Sequence, residues 1–449
     1  MATAADSLAQ NLSFANFSKA TDLKKRLWFT VGALVVFRLC SFVPLPGIDP
    51  VALDQLFNRT AGGVLDFFNM FSGGALERMS IIALGIMPYI TASIVVQLMG
   101  SIYEPWKALK KEGESGRKKL NQYTRFGTVV LTILQGYGIA VGLEGWGASA
   151  GAAAVIDPGW FFRISTIISL LGGTMFLMWL GEQITSRGIG NGISLIIMAG
   201  IVAQLPVAIG GLFEQGRTGA ISGGFILVIL VLALAVVAFI CLMERAQRRI
   251  PIQYPKRQVG NRMFQGDASH LPLKLNTAGV IPPIFASSLL LLPLTVAQFM
   301  GQEGGPDWLL SITTALQHGA PLYMLLYAAG IIFFAFFYTA VVFNPDETAD
   351  NLKKYGGFIP GIRPGEKTGT YLDYVLTRIT VVGAAYLTLV CLLPEFLMGQ
   401  MAVPFYLGGT SLLIVVNVTM DTVAQIQGHL LAHQYEGLIK KSKLRGGRR

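Results

Sequence analysis

Gly223-Gly-Phe-Ile-Leu-Val-Ile-Leu-Val-Leu-Ala-Leu-Ala-Val-Val-Ala-Phe-Ile-Cys-Leu-Met243 contains no charge, and Glu244, Arg245, Arg248 and Arg249 follow it. At about 1.5 Å per residue, such a run makes a helix about 30 Å long, the thickness of a bilayer's hydrocarbon core. The arginines at its end orient it, because cytoplasmic loops collect Lys and Arg. Nine further runs have this character. Together the ten lie at 27–43, 77–101, 126–143, 161–180, 193–213, 223–243, 277–300, 320–343, 375–396 and 403–425. The 449-residue chain is 53% apolar and 13% charged, with a mean hydropathy of +0.56. A soluble chain carries about 25% charged residues. The pattern predicts an all-α polytopic membrane protein with ten transmembrane helices.

Charge is distributed as strongly as hydropathy. The N-terminal tail holds Lys19, Lys24, Lys25 and Arg26, and loop 2–3 holds Lys107, Lys110, Lys111, Arg117, Lys118, Lys119 and Arg125. Loop 4–5 holds Arg187, and loop 6–7 (244–276) holds Arg245, Arg248, Arg249, Lys256, Arg257, Arg262 and Lys274. Loop 8–9 (344–374) holds Lys353, Lys354, Arg363 and Lys367, and the C-terminal tail holds Lys440, Lys441, Lys443, Arg445, Arg448 and Arg449. These segments all fall on one face if ten spans alternate, so both termini are expected in the cytoplasm. Positive-inside topology also accounts for the pI of about 9.5 without nucleic acid. No signal peptide is expected, because Lys24, Lys25 and Arg26 lead into a run too long for an h-region.

Five spans precede the short loop near 214–222 and five follow it. Two halves of five, 1–213 and 214–449, must have opposite orientation, which is the arithmetic of an inverted repeat. Between spans 1 and 2, Val64-Leu-Asp-Phe-Phe-Asn-Met-Phe-Ser-Gly-Gly74 is apolar but too short to cross. A short helix hinged on Gly73 and Gly74 fits a re-entrant or plug element; the lesser alternative is an interfacial helix lying on the outer surface.

The sites of most enzymes are missing. Gly113-Glu-Ser-Gly-Arg-Lys-Lys119 lacks Walker A spacing, and Gly188-Ile-Gly-Asn-Gly192 has no preceding strand and reads as a turn capping span 5. His429 and His433 stand at i, i+4 without an acidic or cysteine partner, so no metal is expected. Cys40, Cys241 and Cys391 lie in apolar stretches and read as buried thiols. Arg38, Arg163, Arg378 and Glu395 sit toward span ends, as interface anchors rather than the mid-membrane relay of an ion-coupled transporter. Ile86 and Ile90, and Ile193 and Ile197, are i, i+4 pairs on helix faces. Such pairs serve ordinary packing, or, arranged around a constriction, a dewetting gate.

Several stretches carry a family resemblance. They are Phe71-Ser-Gly-Gly-Ala-Leu76, Ala83-Leu-Gly-Ile-Met-Pro-Tyr-Ile90, Lys111-Glu-Gly-Glu-Ser-Gly-Arg117 and Gly188-Ile-Gly-Asn-Gly-Ile-Ser194, with His270-Leu-Pro-Leu-Lys274, Gly361-Ile-Arg-Pro-Gly-Glu366 and Pro404-Phe-Tyr-Leu-Gly-Gly-Thr-Ser411. With these the chain resembles the SecY family, the channel subunits of the bacterial protein translocase, along nearly its whole length. The resemblance implies a passive protein-conducting channel in the plasma membrane, with two inverted five-helix halves around a central pore. It implies a plug at 64–78 that includes Phe67, Asn69, Phe71, Gly73 and Gly74. It implies a pore ring of Ile86, Ile90, Ile193, Ile197, Ile284 and Ile414, with Ile193 near the cytoplasmic end of span 5. It implies a lateral gate between spans 2–3 and 7–8, with polar positions Thr91, Gln135 and Asn276.

The resemblance also implies docking of the SecA motor and the ribosome on Arg248, Arg249, Lys256, Arg257, Arg262 and Arg363. The remaining partners it implies are SecE, SecG, the YidC insertase, signal sequences, nascent chains and anionic phospholipids; it implies no cofactor and no enzymatic activity. Arg257 and Arg262 lie mid-loop, more than about ten residues from either span, so topology alone explains them poorly. Asn261 departs from the family pattern, since many members carry adjacent arginines where Asn261-Arg262 stands.

Overall fold

The computed structural model describes residues 21–53, 69, 71–150, 154–219, 222–254, 257–259, 262–264, 268–300, 320–401 and 409–446. A helix occupies each of the ten predicted runs. In chain order the elements begin with α1 (Thr21–Cys40), α2 (Met87–Ile102), α3 (Glu104–Lys111), α4 (Glu114–Ala150), α5 (Trp160–Arg187), α6 (Gly192–Arg217) and α7 (Gly223–Arg245). Strands β1 (Gln247–Gln253), β2 (Arg257–Val259), β3 (Arg262–Phe264) and β4 (Ala268–Lys274) follow. The chain continues with α8 (Ile281–Met300), α9 (Pro321–Val342), α10 (Pro345–Lys354), α11 (Glu366–Met401) and α12 (Gly409–Gly446).

Among the described residues, seven of these helices are long and apolar enough to cross a membrane. The other three runs hold α1, which carries Lys24, Lys25 and Arg26 in its first turns, and the shorter apolar helices α2 and α8. The apolar window of α7 is only 17% buried within the protein, so its side chains need lipid to cover them. That of the helix at Glu366–Pro394 is 56% buried, which marks α11 as an inner helix.

The chain forms two compact units. One comprises Met1–Val207, Gln298–Gly304 and Ile414–Arg449; the other comprises Ala208–Ala297 and Gly305–Leu413. In the first, α4 packs on α2 and α5, and α1 packs on α5. Its core includes Leu45, Leu76, Met79, Leu84, Leu143, Phe162 and Leu170. The segment after Gly74 is stitched into this core by a bridge from Pro44 to Ser80, and a second bridge joins Ile48 to Val155. The Gly188–Gly192 turn does more than cap α6. Its Ile189 amide donates to the Thr30 hydroxyl at 3.1 Å, and its Gly190 amide donates to the Gln425 side chain at 2.9 Å. It therefore ties α1, α5, α6 and α12 together.

In the second unit, α11 packs on α9, α10 and α7. Segment 244–276, expected as a loop, is largely strand. β1 and β4 pair antiparallel from Gln247–Lys274 to Gln253–Ala268, and β2 pairs with β3. Ile250 and Ile252 alternate inward along β1, a period-2 signal hidden by the search for long apolar runs. The far end of the β1–β4 ladder also pairs with loop 8–9, since Gln253 and Phe358 exchange amide hydrogen bonds of 2.9 and 3.0 Å. Ile250, Leu273, Ile359, Leu372 and Leu376 form a small core that holds both segments to α11.

Candidate functional site

The expected plug segment is described at Asn69 and from Phe71 onward; Phe67 lies outside the described residues. Asn69, Phe71 and Ser72 are helical and buried, and the chain then turns at Gly73 (φ 70) and Gly74 (φ 81). Those left-handed values suit glycine and strain any residue with a Cβ. Asn69 closes the turn on itself. Its backbone carbonyl accepts from the Gly74 amide at 2.9 Å, its side-chain oxygen accepts from the Glu77 amide at 3.0 Å, and its side-chain NH₂ donates to the Glu77 carboxylate at 3.1 Å.

Two elements hold this turn. Arg38, near the end of α1, donates to the Gly73 carbonyl at 2.6 Å. Helix α6 meets it through Gly200, where a methyl group would lie 2.6 Å from the Phe71 carbonyl oxygen. Gly200 thus lets two backbones touch. Arg38 and Arg78 both lie over the Phe42 ring, at 5.0 and 4.3 Å from its centroid. Arg38, expected as an interface anchor, therefore contacts the turn that follows the expected plug residues. Neither Arg38 nor Gly200 is legible as a contact of this turn in sequence, because each depends on a fold that brings residues distant along the chain together. The Gly-Gly pair is the only local signal.

Of the ring candidates in the first unit, Ile86, Ile197 and Ile414 are buried, and Ile90 and Ile193 are half-buried. Ile86 sits immediately before α2, and its carbonyl accepts from the Ile90 amide at 3.1 Å. Ile193, in the first turn of α6, lies against Gly181 of α5. Ile284, in the second unit, is half-buried in α8.

The three gate candidates differ in how they are satisfied. The Thr91 hydroxyl donates to its own helix at the Met87 carbonyl, at 3.1 Å. The Gln135 side-chain oxygen is buried without a hydrogen-bond partner among the described residues. Asn276 donates to the Glu244 carboxylate at 2.6 Å and to the Gly279 carbonyl at 3.1 Å. Glu244 escaped the sequence reading because it opens a basic segment and looks like part of it.

Arg248 and Arg249 are exposed on β1. Arg257 and Arg262 lie at opposite ends of the small β2–β3 ladder, facing Phe264 and Val259 in register. Lys256 and Asn261 lie outside the described residues. Arg363 is exposed between Gly361 and Gly365, and its carbonyl accepts from the Thr368 hydroxyl at 2.9 Å. The turn that presents this guanidinium is thus fixed at its backbone. Among the described residues, no cluster of His, Cys, Asp and Glu is built to hold a metal.

The SecY family model matches residues 80–423. The protein translocase subunit SecY of Vibrio cholerae is 58% identical over 432 residues, covering 96% of each chain. A solved structure described as that of a protein conducting channel has a similar fold, with a TM-score of 0.66 at 19% identity, over 91% of this chain and 92% of the other. Canine Sec61, solved in a ribosome-channel complex from the endoplasmic reticulum, gives a TM-score of 0.63 at 18% identity, over 91% and 92% of the two chains. With a family model that spans most of its length and a relative more than half identical to it, this multi-pass membrane chain belongs to the SecY family.

Proposed function

We propose that the protein is a passive protein-conducting channel. It passes unfolded secretory chains across the plasma membrane and releases transmembrane segments sideways into lipid. The observation that supports this reading is the turn at Gly73 and Gly74, held from two sides. Asn69, Phe71 and Ser72 are helical, and the glycine turn that follows them meets Arg38 and Gly200 among membrane-spanning helices. Irregular backbone at that depth needs protein or a cavity around it, and a removable stopper meets that condition. Membership of the SecY family supports the same reading.

In this reading the halves 1–213 and 214–449 are inverted repeats, and Ile86, Ile90, Ile193, Ile197, Ile284 and Ile414 line the constriction. An apolar ring dewets and excludes ions while remaining indifferent to the sequence that passes. Thr91, Gln135 and Asn276 belong to the lateral gate. Energy comes from partners. SecA and the ribosome take hold of Arg248, Arg249, Lys256, Arg257, Arg262 and Arg363, with both termini on the same cytoplasmic face. SecE and SecG complete the complex, YidC receives released helices, and anionic phospholipids contact the basic face. Canine Sec61 in its ribosome complex supports the ribosome as a partner.

The test is a stalled precursor in the reconstituted complex. A cysteine at Ile86 or Ile284 is expected to cross-link to the arrested chain, and a cysteine at exposed Leu234 of α7 is not. Equal labelling at all three positions, or none at the isoleucines, would refute the channel reading.

A further inference from the structure

We propose that Glu244 is the positioning residue for Asn276, and that their pair holds the entry to span 7 against the end of span 6. The inference rests on reading Asn276 as a gate residue. Both side chains are buried, at 7% and 5% exposure, and Glu244 is the only charged side chain so buried among the described residues. An ionisable group at the membrane boundary with no access to water needs a fixed partner. Asn276 supplies one at 2.6 Å, the short distance of an N–H donating to a carboxylate.

The geometry also fixes which end of the amide faces Glu244. The same nitrogen donates to the Gly279 carbonyl at 3.1 Å, so two acceptors converge on it and the NH₂ must point there. Asn276 therefore bridges the last turn of α7 and the turn that opens α8. Span 9 closes over this bridge. A methyl group on Gly383 would lie 2.7 Å from the Leu275 carbonyl oxygen and 3.7 Å from the Asn276 Cα. Three residues on, Tyr386 buries a hydroxyl with no hydrogen-bond partner among the described residues. The pair is closely covered, which leaves little room for another group to replace the lost hydrogen bond.

A role exchange tests the pair. Asn276→Asp sets two carboxylates against each other. Export of a precursor with a defective signal, and passive ion flux, are expected to rise roughly tenfold or more, the scale of a lost charged hydrogen bond. Glu244→Gln leaves an amide opposite an amide and is expected to give a smaller rise. The double variant Glu244→Gln/Asn276→Asp restores one amide and one carboxylate with their positions swapped. It is expected to bring both readouts part of the way back to the parent, since the buried charge again has its hydrogen bond while the Gly279 carbonyl loses its donor. A double variant as leaky as Asn276→Asp, or a silent Asn276→Asp, overturns the pairing. Asn276→Leu separates this from the gate reading: if Asn276→Leu alters signal tolerance and the exchange gives no rescue, only the pairing fails. If Asn276→Leu leaves tolerance unchanged, the gate reading fails. The amount of each variant complex recovered from membranes checks that folding is not the cause.

Discussion

At the scale of single residues, the turn at Gly73 and Gly74, which the proposed function reads as the seat of a plug, is held by one guanidinium and one missing side chain. Arg38 donates to the Gly73 carbonyl at 2.6 Å, and a charge-assisted bond of that kind contributes about 1.5–3 kcal/mol. Arg38→Met is expected to unseat the plug by roughly that amount, read as increased ion conductance of the resting channel in planar bilayers. A closed baseline indistinguishable from the parent's would remove Arg38 from the seat. Gly200→Val acts from the other side. The added carbons would press on the Phe71 carbonyl at a site where a single methyl already lies 2.6 Å away. Overpacking of this sort costs about 1–3 kcal/mol, so the same conductance assay is expected to show leak. Sequence made Gly73 and Gly74 visible as a hinge, because glycine pairs announce themselves locally. It could not show that Gly200 faces them, because an isolated glycine in an apolar run looks like any other.

At the scale of elements, two ties deserve separate tests. The first is on the less basic side, where Arg163 of α5 donates twice to one Glu144 oxygen, at 2.8 and 2.6 Å, while the Gly159 amide donates to the other at 3.0 Å. The Glu144 side chain is 11% exposed, so Arg163→Met leaves a largely buried carboxylate with only its backbone donor. A loss of about 1–3 kcal/mol is expected, measured as a lower thermal midpoint of the detergent-solubilised complex. The second tie joins the β-hairpin to loop 8–9. Ile359 is 4% exposed between Ile250, Leu273 and the start of α11. Ile359→Ala is expected to cost about 2–5 kcal/mol locally and to loosen Arg363 from its frame. Hydrogen exchange across 247–274 and 357–363 is expected to quicken while the spanning helices stay protected. The sequence offered these segments as basic loops. Their strand pairing went unseen because a seven-residue alternation is a weak signal beside runs of twenty apolar residues.

At the scale of the whole molecule, the expectation concerns work done by partners. Arg363→Glu is expected to abolish motor-driven export while leaving the amount of complex in the membrane unchanged, because the residue is exposed and its turn is held by backbone contacts. Normal export by that variant would detach the motor from this surface. The sequence by itself determined the order of ten apolar runs, each of which holds a helix, and the segments between them in which charge collects. Both are one-dimensional properties: a span needs length and apolarity, and orientation needs an excess of Lys and Arg in the loops beside it. Its motifs also carried the family, which the comparisons bear out. Tertiary structure alone decided what each polar group is bonded to. Arg38 became a contact of the Gly73 turn, Asn276 was matched to Glu244, and the Gly188–Gly192 turn became a junction of four helices. The physical reason is range. Hydrophobic burial is read along the chain and needs no particular partner, whereas a hydrogen bond in a dry interior requires one atom at one distance, and only the folded chain supplies it.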